Sequence, residues 1–170
     1  LDLIGTSLGV TNPNDNQLII GMIFVGMGVG QLFFGPIADA IGRKPSMYIG
    51  IAAFFVGLLT SYAAQSFEVM LFGRFIQGVG AASAKIISTS MVRDRFSGNQ
   101  MAKTMSLIMI MFVLVPALAP TLGQLILTYG TWRDIFLAML FMSVFCLIWF
   151  AFRQEETLEI ENRRPLSYQR

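Results

Sequence analysis

The sequence predicts an all-α fold, a polytopic bundle of about five membrane-crossing helices, and three observations carry that prediction. The first is a set of apolar runs, Leu18 to Ile37, Met47 to Ala64, Val69 to Met91, Met105 to Thr128 and Ile135 to Phe152. Each has the roughly 17 to 25 residues that cross a bilayer. The second is composition: 55% of the 170 residues are hydrophobic and 13% are charged, whereas about a quarter are charged in a soluble domain. The third is that positive charge sits on one side of the runs. Arg43 and Lys44 follow the first, Arg93, Arg95 and Lys103 follow the third, and Arg153, Arg163, Arg164 and Arg170 follow the last. The segment before Leu18 and the stretch Ser61 to Glu68 hold no Lys or Arg, and Tyr129 to Asp134 holds only Arg133. By the positive-inside rule the basic connections are cytoplasmic. The expected layout is therefore an external segment over 1–17, membrane helices over 18–152 and a cytoplasmic tail over 153–170, in a cytoplasmic membrane.

Several function classes fall away on composition. The net charge of +2 comes from cations that topology already accounts for, so no nucleic-acid partner is expected. Cys146 is the single cysteine and lies within the last apolar run, and the sequence contains no His. A disulfide framework, a Cys or His metal site and a histidine triad are excluded, and no cofactor or catalytic residue is expected. Residue 1 is Leu, and the chain opens on an external segment with neither a basic leader nor a preceding anchor. It reads as a fragment.

The elements follow in order. Asn12, Pro13, Asn14 and Asp15 form a turn-rich stretch suited to capping the first membrane helix. That helix holds Gly21, Gly26, Gly28, Gly30 and Gly35. Gly26 and Gly30 form a GxxxG pair that lets a neighbouring backbone approach closely in lipid, and plain helix packing is preferred to a ligand role for it. The connection from Gly35 to Pro45 is a short charged hinge. Gly35 and Pro36 bracket the helix exit, Asp39 lies one turn before Arg43 and Lys44, and Pro45 opens the next helix where its missing N–H costs nothing.

In the third run Arg74, Gly78, Ala81, Lys85 and Ser88 share one helical face, with Gln77 at its edge. Arg74 and Lys85 lie about 16 Å apart along it. Two cations within a span cost several kcal/mol unless they are paired, hydrated or snorkelling. Asp39, Glu68, Asp94 and Asp134 all fall at span ends or connections, so the chain offers no mid-membrane carboxylate. Either both cations snorkel to the interfaces, or a cavity, a ligand or another segment accommodates them. The fourth run carries Pro116, Pro120 and Gly123, and each proline frees a carbonyl one turn back, so a bend is expected there. The aromatic residues of the last run, Phe136, Phe141, Phe145, Trp149, Phe150 and Phe152, either face lipid or offer an adaptable apolar surface.

These motifs resemble a known family. Gly35-x-x-x-Asp39-x-x-Gly42-Arg43-Lys44 resembles the loop between the second and third helices of the major facilitator superfamily. Arg74-Phe-Ile-Gln77-Gly78-Val-Gly80 resembles the fourth helix of its proton-coupled exporters. Pro116 to Gln124 partly matches their fifth-helix Gly-Pro-x-x-Gly-Gly element, with Ala119 and Gln124 in place of glycines. Trp132-Arg133-x-x-Phe136 and Glu156-Thr157-Leu158 resemble the entry to the sixth helix and the lead into the central cytoplasmic loop. With Gly30-Gln31-Leu32 and Val92-Arg93-Asp94, the chain looks most like the bicyclomycin and chloramphenicol resistance branch of drug:proton antiporters.

The resemblance implies helices two to six of an N-terminal half, with the first helix and the C-terminal half absent. It implies a drug-like substrate and protons as partners, and a proton-coupling set of Arg74, Gln77, Gly78 and Lys85. A cytoplasmic gate of Gly35, Asp39, Gly42, Arg43 and Asp94 is implied too, with the proton-carrying carboxylate in the absent first helix. Three functions stay open: a proton-driven multidrug exporter, an uptake permease on the same fold, and a membrane scaffold or membrane-embedded enzyme. A permease needs a polar substrate cage, and an enzyme or scaffold needs a catalytic set or a cytosolic interaction domain.

Overall fold

A computed structural model describes residues 2–10 and 12–163; Arg164, Pro165 and Arg170, which entered the expected tail, lie outside the described residues. Six helices follow in order: α1 Asp2–Ser7, α2 Leu18–Ile41, α3 Arg43–Tyr62, α4 Phe67–Arg95, α5 Gly98–Tyr129 and α6 Trp132–Arg153. Short 3-10 turns at Pro13–Gln17 and Ile160–Asn162 complete the regular structure. There is no strand among the described residues.

Local chemistry sets most boundaries. Asn12 caps the 3-10 turn before α2, its side-chain oxygen accepting from the Asn14 N–H at 3.2 Å. The Ser66 side chain caps α4 by accepting from Val69 N, while Glu68 in the first turn and Arg93 and Arg95 in the last complement the helix dipole. At α6 the Asp134 carboxylate accepts from both the N–H and the hydroxyl of Thr131, at 2.6 and 2.9 Å.

The α2 exit differs from expectation. The helix runs through Pro36 to Ile41, so only Gly42 separates α2 from α3. Proline removes one intrahelical bond, and burial holds the turn around it: Phe34 and Ala38 pack with Met47, Ile87 and Met91. Gly42 has φ of 109°, which favours glycine, and a Cβ there would come within 2.7 Å of a Glu156 carboxylate oxygen. The expected hinge is thus a one-residue corner. Helix α1 lies in the expected external segment over 1–17, and its Ile4 joins a core of Ile19, Leu58, Ala64, Met70, Trp132 and Phe136.

Four helical segments, Asn14–Ile41, Arg43–Tyr62, Gly98–Tyr129 and Trp132–Arg153, are long and apolar enough to cross a membrane. The expected fifth, α4, is not among them. At 29 residues it would extend about 43 Å, but Arg74, Gln77, Ser83, Lys85 and Ser88 lower its apolarity. It is the hub of the bundle, packed between α2 and α3.

Glycine makes that packing close. A methyl group at Gly26 or Gly30 would come within 2.1 or 2.6 Å of the carbonyl oxygens of Phe75 and Val79. On the other side of α4, Gly57 meets the backbone of Gln77 and Gly80 meets that of Phe54, each leaving 2.3 Å for an added carbon. In contrast α5 buries no residue, and it runs through Pro116 and Pro120 as one uninterrupted helix.

Candidate functional site

Helix α4 carries the first cluster. The Gln77 side chain is 3% exposed, and its Oε1 accepts from Arg74 Nη1 at 3.3 Å. The Arg74 guanidinium carbon lies 4.5 Å from the centroid of the Phe136 ring. Arg74 Nε is buried with no hydrogen-bond partner. Among the described residues no carboxylate pairs with Arg74, since the ion pairs present are Arg43 with Asp39 and Arg43 with Asp94. An aromatic face and an amide oxygen take the place of a counter-charge.

Gly78, expected in the same set, packs against the backbone of Ile23, where an added Cβ would approach the Ile23 carbonyl oxygen to 2.2 Å. It lets α2 seat against α4 one residue from Gln77. Lys85 points elsewhere: its Nζ lies 5.8 Å from the Phe112 ring of α5. Beside it a cleft of about 600 Å³ opens between α4 and α5, lined by Ala84, Ser88, Met111, Phe112 and Pro116 among others. The structure therefore turns Arg74 toward α6 and Lys85 toward α5. Pro116 reaches the cleft wall, and nothing lies within 4 Å of where a Cβ on Gly123 would be.

The second cluster surrounds the Gly42 corner. Arg43 is 7% exposed; its Nη1 donates to Asp39 Oδ1 at 2.5 Å and its Nε to Asp94 Oδ2 at 2.9 Å. Asp39, Arg43 and Asp94 are thereby brought together beside Gly42. Gly35 is not part of that contact, because it sits inside α2 facing open space.

Glu156 completes the cluster; the sequence named it only within the Glu156-Thr157-Leu158 segment and not as part of the gate. Its carboxylate accepts from the N–H groups of Arg43, Lys44, Thr157 and Leu158, all between 2.9 and 3.0 Å. Thr157 Oγ1 reaches Asp94 Oδ2 at 3.4 Å, and Lys44 Nζ donates to the Ala151 carbonyl at 3.2 Å. Burial raises the Glu156 carboxyl, but the four backbone donors outweigh it, and the group sits below its ordinary 4.5. A signal for it was available. Helix α3 begins with a glycine cap, no acidic residue and two cations, so its first N–H groups needed an acid from elsewhere.

At the opposite end of α3, Arg133 donates from Nε to the Tyr62 carbonyl and from Nη2 to the Ala64 carbonyl, both at 3.3 Å. The aromatic residues of α6 divide. Phe136 is buried against Arg74, Phe150 stacks edge-to-face on Tyr48, and Phe141, Phe145, Trp149 and Phe152 are exposed.

The chain is similar to several known proteins. The chain is 33% identical over 153 residues to an uncharacterized MFS-type transporter, YdgK, of Bacillus subtilis, covering 89% of this chain and 38% of that protein. It is 34% identical over 160 residues to a bicyclomycin resistance protein homolog of Haemophilus influenzae, covering 91% and 39%. To the multidrug resistance protein MdtL of Escherichia coli it is 34% identical over 148 residues, covering 86% and 38%. The chain thus spans about two-fifths of the length of these curated relatives. The crystal structure of the human organic anion transporter TETRAN superposes with a TM-score of 0.64 at 26% identity, covering 96% of this chain and 39% of that one. A sequence profile matches residues 1–167, which shows that the chain belongs to the Major Facilitator Superfamily.

Proposed function

We propose that the chain forms part of a proton-driven multidrug exporter, exchanging a drug-like small molecule for protons across the cytoplasmic membrane by alternating access. The observation that carries this reading is Arg74, a buried cation that has an aromatic face and an amide for company and no carboxylate partner among the described residues. Arginine stays charged at accessible pH, so it does not itself carry the proton. It acts on a neighbouring carboxylate, which ionises more readily beside a cation and less readily when buried. Those opposed effects let protonation follow the gradient and the arrival of a cationic substrate. The relatives named for bicyclomycin and multidrug resistance support efflux over uptake.

In this reading the carboxylate belongs to a first helix preceding α2, and a C-terminal half closes the cavity from the other side. The segment before α2 lies outside, and the corner at Gly42 lies inside, where Arg43, Asp39 and Asp94 act as the gate. The cleft between α4 and α5, at about 600 Å³, has the size and apolar lining of a small-molecule site, and Lys85 stands at its edge.

The test is ethidium efflux from vesicles containing the full-length transporter, driven by an imposed proton gradient. Arg74→Ala should abolish gradient-driven efflux with normal membrane expression, and Arg74→Lys should restore it only in part because an ammonium lacks the planar fork. Undiminished gradient-driven efflux from Arg74→Ala would refute the coupling role.

A further inference from the structure

A buried guanidinium has five N–H donors to satisfy, and the side-chain hydrogen bond present at Arg74 goes to Gln77 at 3.3 Å. Its flat face is better served. The Phe136 ring sits 4.5 Å beneath the guanidinium carbon, inside the about 6 Å at which a cation is attracted to a ring face. That ring is itself fixed: Phe136 is 1% exposed and meets Trp132 edge-to-face at 5.9 Å and 80°. Trp132, one turn earlier on α6, is 7% exposed and carries the Arg133 guanidinium at 4.3 Å. Arg133 in turn is tied to the Tyr62 and Ala64 carbonyls. A continuous stack of cation, ring, ring and cation therefore leads from the buried arginine to the start of α6.

We propose that Phe136 is the positioning residue for Arg74, holding the guanidinium in place through its ring face without cancelling its charge. This rests on the coupling role proposed for Arg74. A carboxylate at position 136 would hold the guanidinium as firmly but would neutralise it, leaving less field to act on a proton-carrying group. An aromatic face attracts the cation through its quadrupole and takes no proton. Phe136 is also buried among Ile19, Leu58 and Met70, so an ordinary core role must be separated from an electrostatic one. Shape-preserving fluorination makes that separation, because it withdraws charge from the ring face while leaving the packing nearly unchanged.

The experiment places phenylalanine, 4-fluoro-, 3,5-difluoro- and 3,4,5-trifluorophenylalanine at position 136 of the full-length transporter. Two quantities are read in each: the ring-current displacement of the Arg74 Nε–H resonance in arginine-labelled protein in nanodiscs, and gradient-driven ethidium efflux. Both should fall stepwise across the series, toward a loss of about three- to thirty-fold in the stacked population. Phe136→Leu should remove the displacement and Phe136→Tyr should keep it. A displacement and an efflux rate that do not change with fluorination reduce Phe136 to core packing and overturn the proposal. A displacement that falls while efflux stays at the wild-type rate shows a stack with no part in coupling, and overturns it equally. Failure of the coupling role itself is distinguished by Arg74→Ala, which in that case retains gradient-driven efflux whatever occupies position 136.

Discussion

Removal of the Glu156 side chain should loosen the end of the bundle at the Gly42 corner by a calculable amount. The carboxylate spans the first N–H groups of α3, those of Arg43 and Lys44, and folds its own loop back by accepting from Thr157 and Leu158. Loss of a helix-capping acceptor costs about 1 kcal/mol, and loss of a negative charge at a helix N-terminus adds about 0.5 kcal/mol. The lower part of each range applies, because the carboxylate is accessible to water and screened. Together they give about 1.5 kcal/mol for Glu156→Ala, or a fall of about 3–6 °C in midpoint for a unit of this size. Glu156→Gln, which keeps a carbonyl acceptor and loses the charge, should fall by roughly half as much. Thermal unfolding of the detergent-solubilised transporter, followed by tryptophan fluorescence, makes the measurement. Glu155→Ala is the control, being an exposed neighbour whose loss should stay within about 0.5 kcal/mol of wild type. The sign with pH is fixed as well. Since the folded-state value of Glu156 lies below the ordinary 4.5, its contribution is present above 4.5 and is lost as pH falls through the folded value. The gap between wild type and Glu156→Gln should therefore close in acid and stay constant near neutrality. Equal midpoints for Glu155→Ala and Glu156→Ala would refute the cap.

Other outcomes follow from the same geometry. Gly26→Ala, whose methyl would sit 2.1 Å from the Phe75 carbonyl oxygen, should destabilise by about 1–3 kcal/mol, whereas Gly28→Ala, which faces open space, should be neutral or stabilising by up to about 1 kcal/mol; thermal midpoints of the two variants decide it. Arg43→Ala and Asp94→Asn should each shift the balance between inward- and outward-open states without impairing membrane insertion, as read by cysteine accessibility, and wild-type accessibility in both would reduce the corner to a topological signal. In a Cys146→Ser background, a cysteine at Asn14 should react with an impermeant thiol reagent applied outside and one at Ser97 should be shielded; the reverse pattern would invert the proposed orientation.

The runs that become α2 to α6, the GxxxG contact and the Asp39–Arg43 pair were legible in the sequence because each depends on residues close in the chain or on a simple periodicity, whereas the Arg43–Asp94 pair, 51 positions apart, was implied only by the family resemblance. Gly26 and Gly30 lie four apart and face one neighbour, and Asp39 and Arg43 are one helical turn apart. What the sequence hid was set by partners distant in the chain. The continuation of α2 beyond Pro36 depends on burial of Phe34 and Ala38 against α3 and α4 residues. Gly78 shares a helical face with Arg74, and only the approach of α2 shows that it meets Ile23. The apolar run Val69 to Met91 was read as a span, but that α4 packs between α2 and α3 could not be read from that run alone. The contact of Glu156 with Arg43 was hidden most deeply, since 113 positions separate the two.

The two ends of α6 explain why such remote partners matter. At one end Arg133 holds the carbonyls of Tyr62, the last residue of α3, and of Ala64 just beyond it, and just past the other end Glu156 holds its first N–H groups. A cation at a helix C-terminus and an anion at an N-terminus are each the charge the dipole favours. Between these clasps the pair is loosely filled, with a cleft of about 360 Å³ lined by Ile51, Phe54, Met142, Ser143 and Cys146 among others. Polar bonds at both ends therefore join apolar contacts, Leu58 with Phe136 and Tyr48 with Phe150, in holding α3 to α6. A sliding motion of α3 along α6 must break both clasps together, whereas a motion of α5, which buries no residue, breaks neither. Charge-assisted bonds are costly to leave unmade.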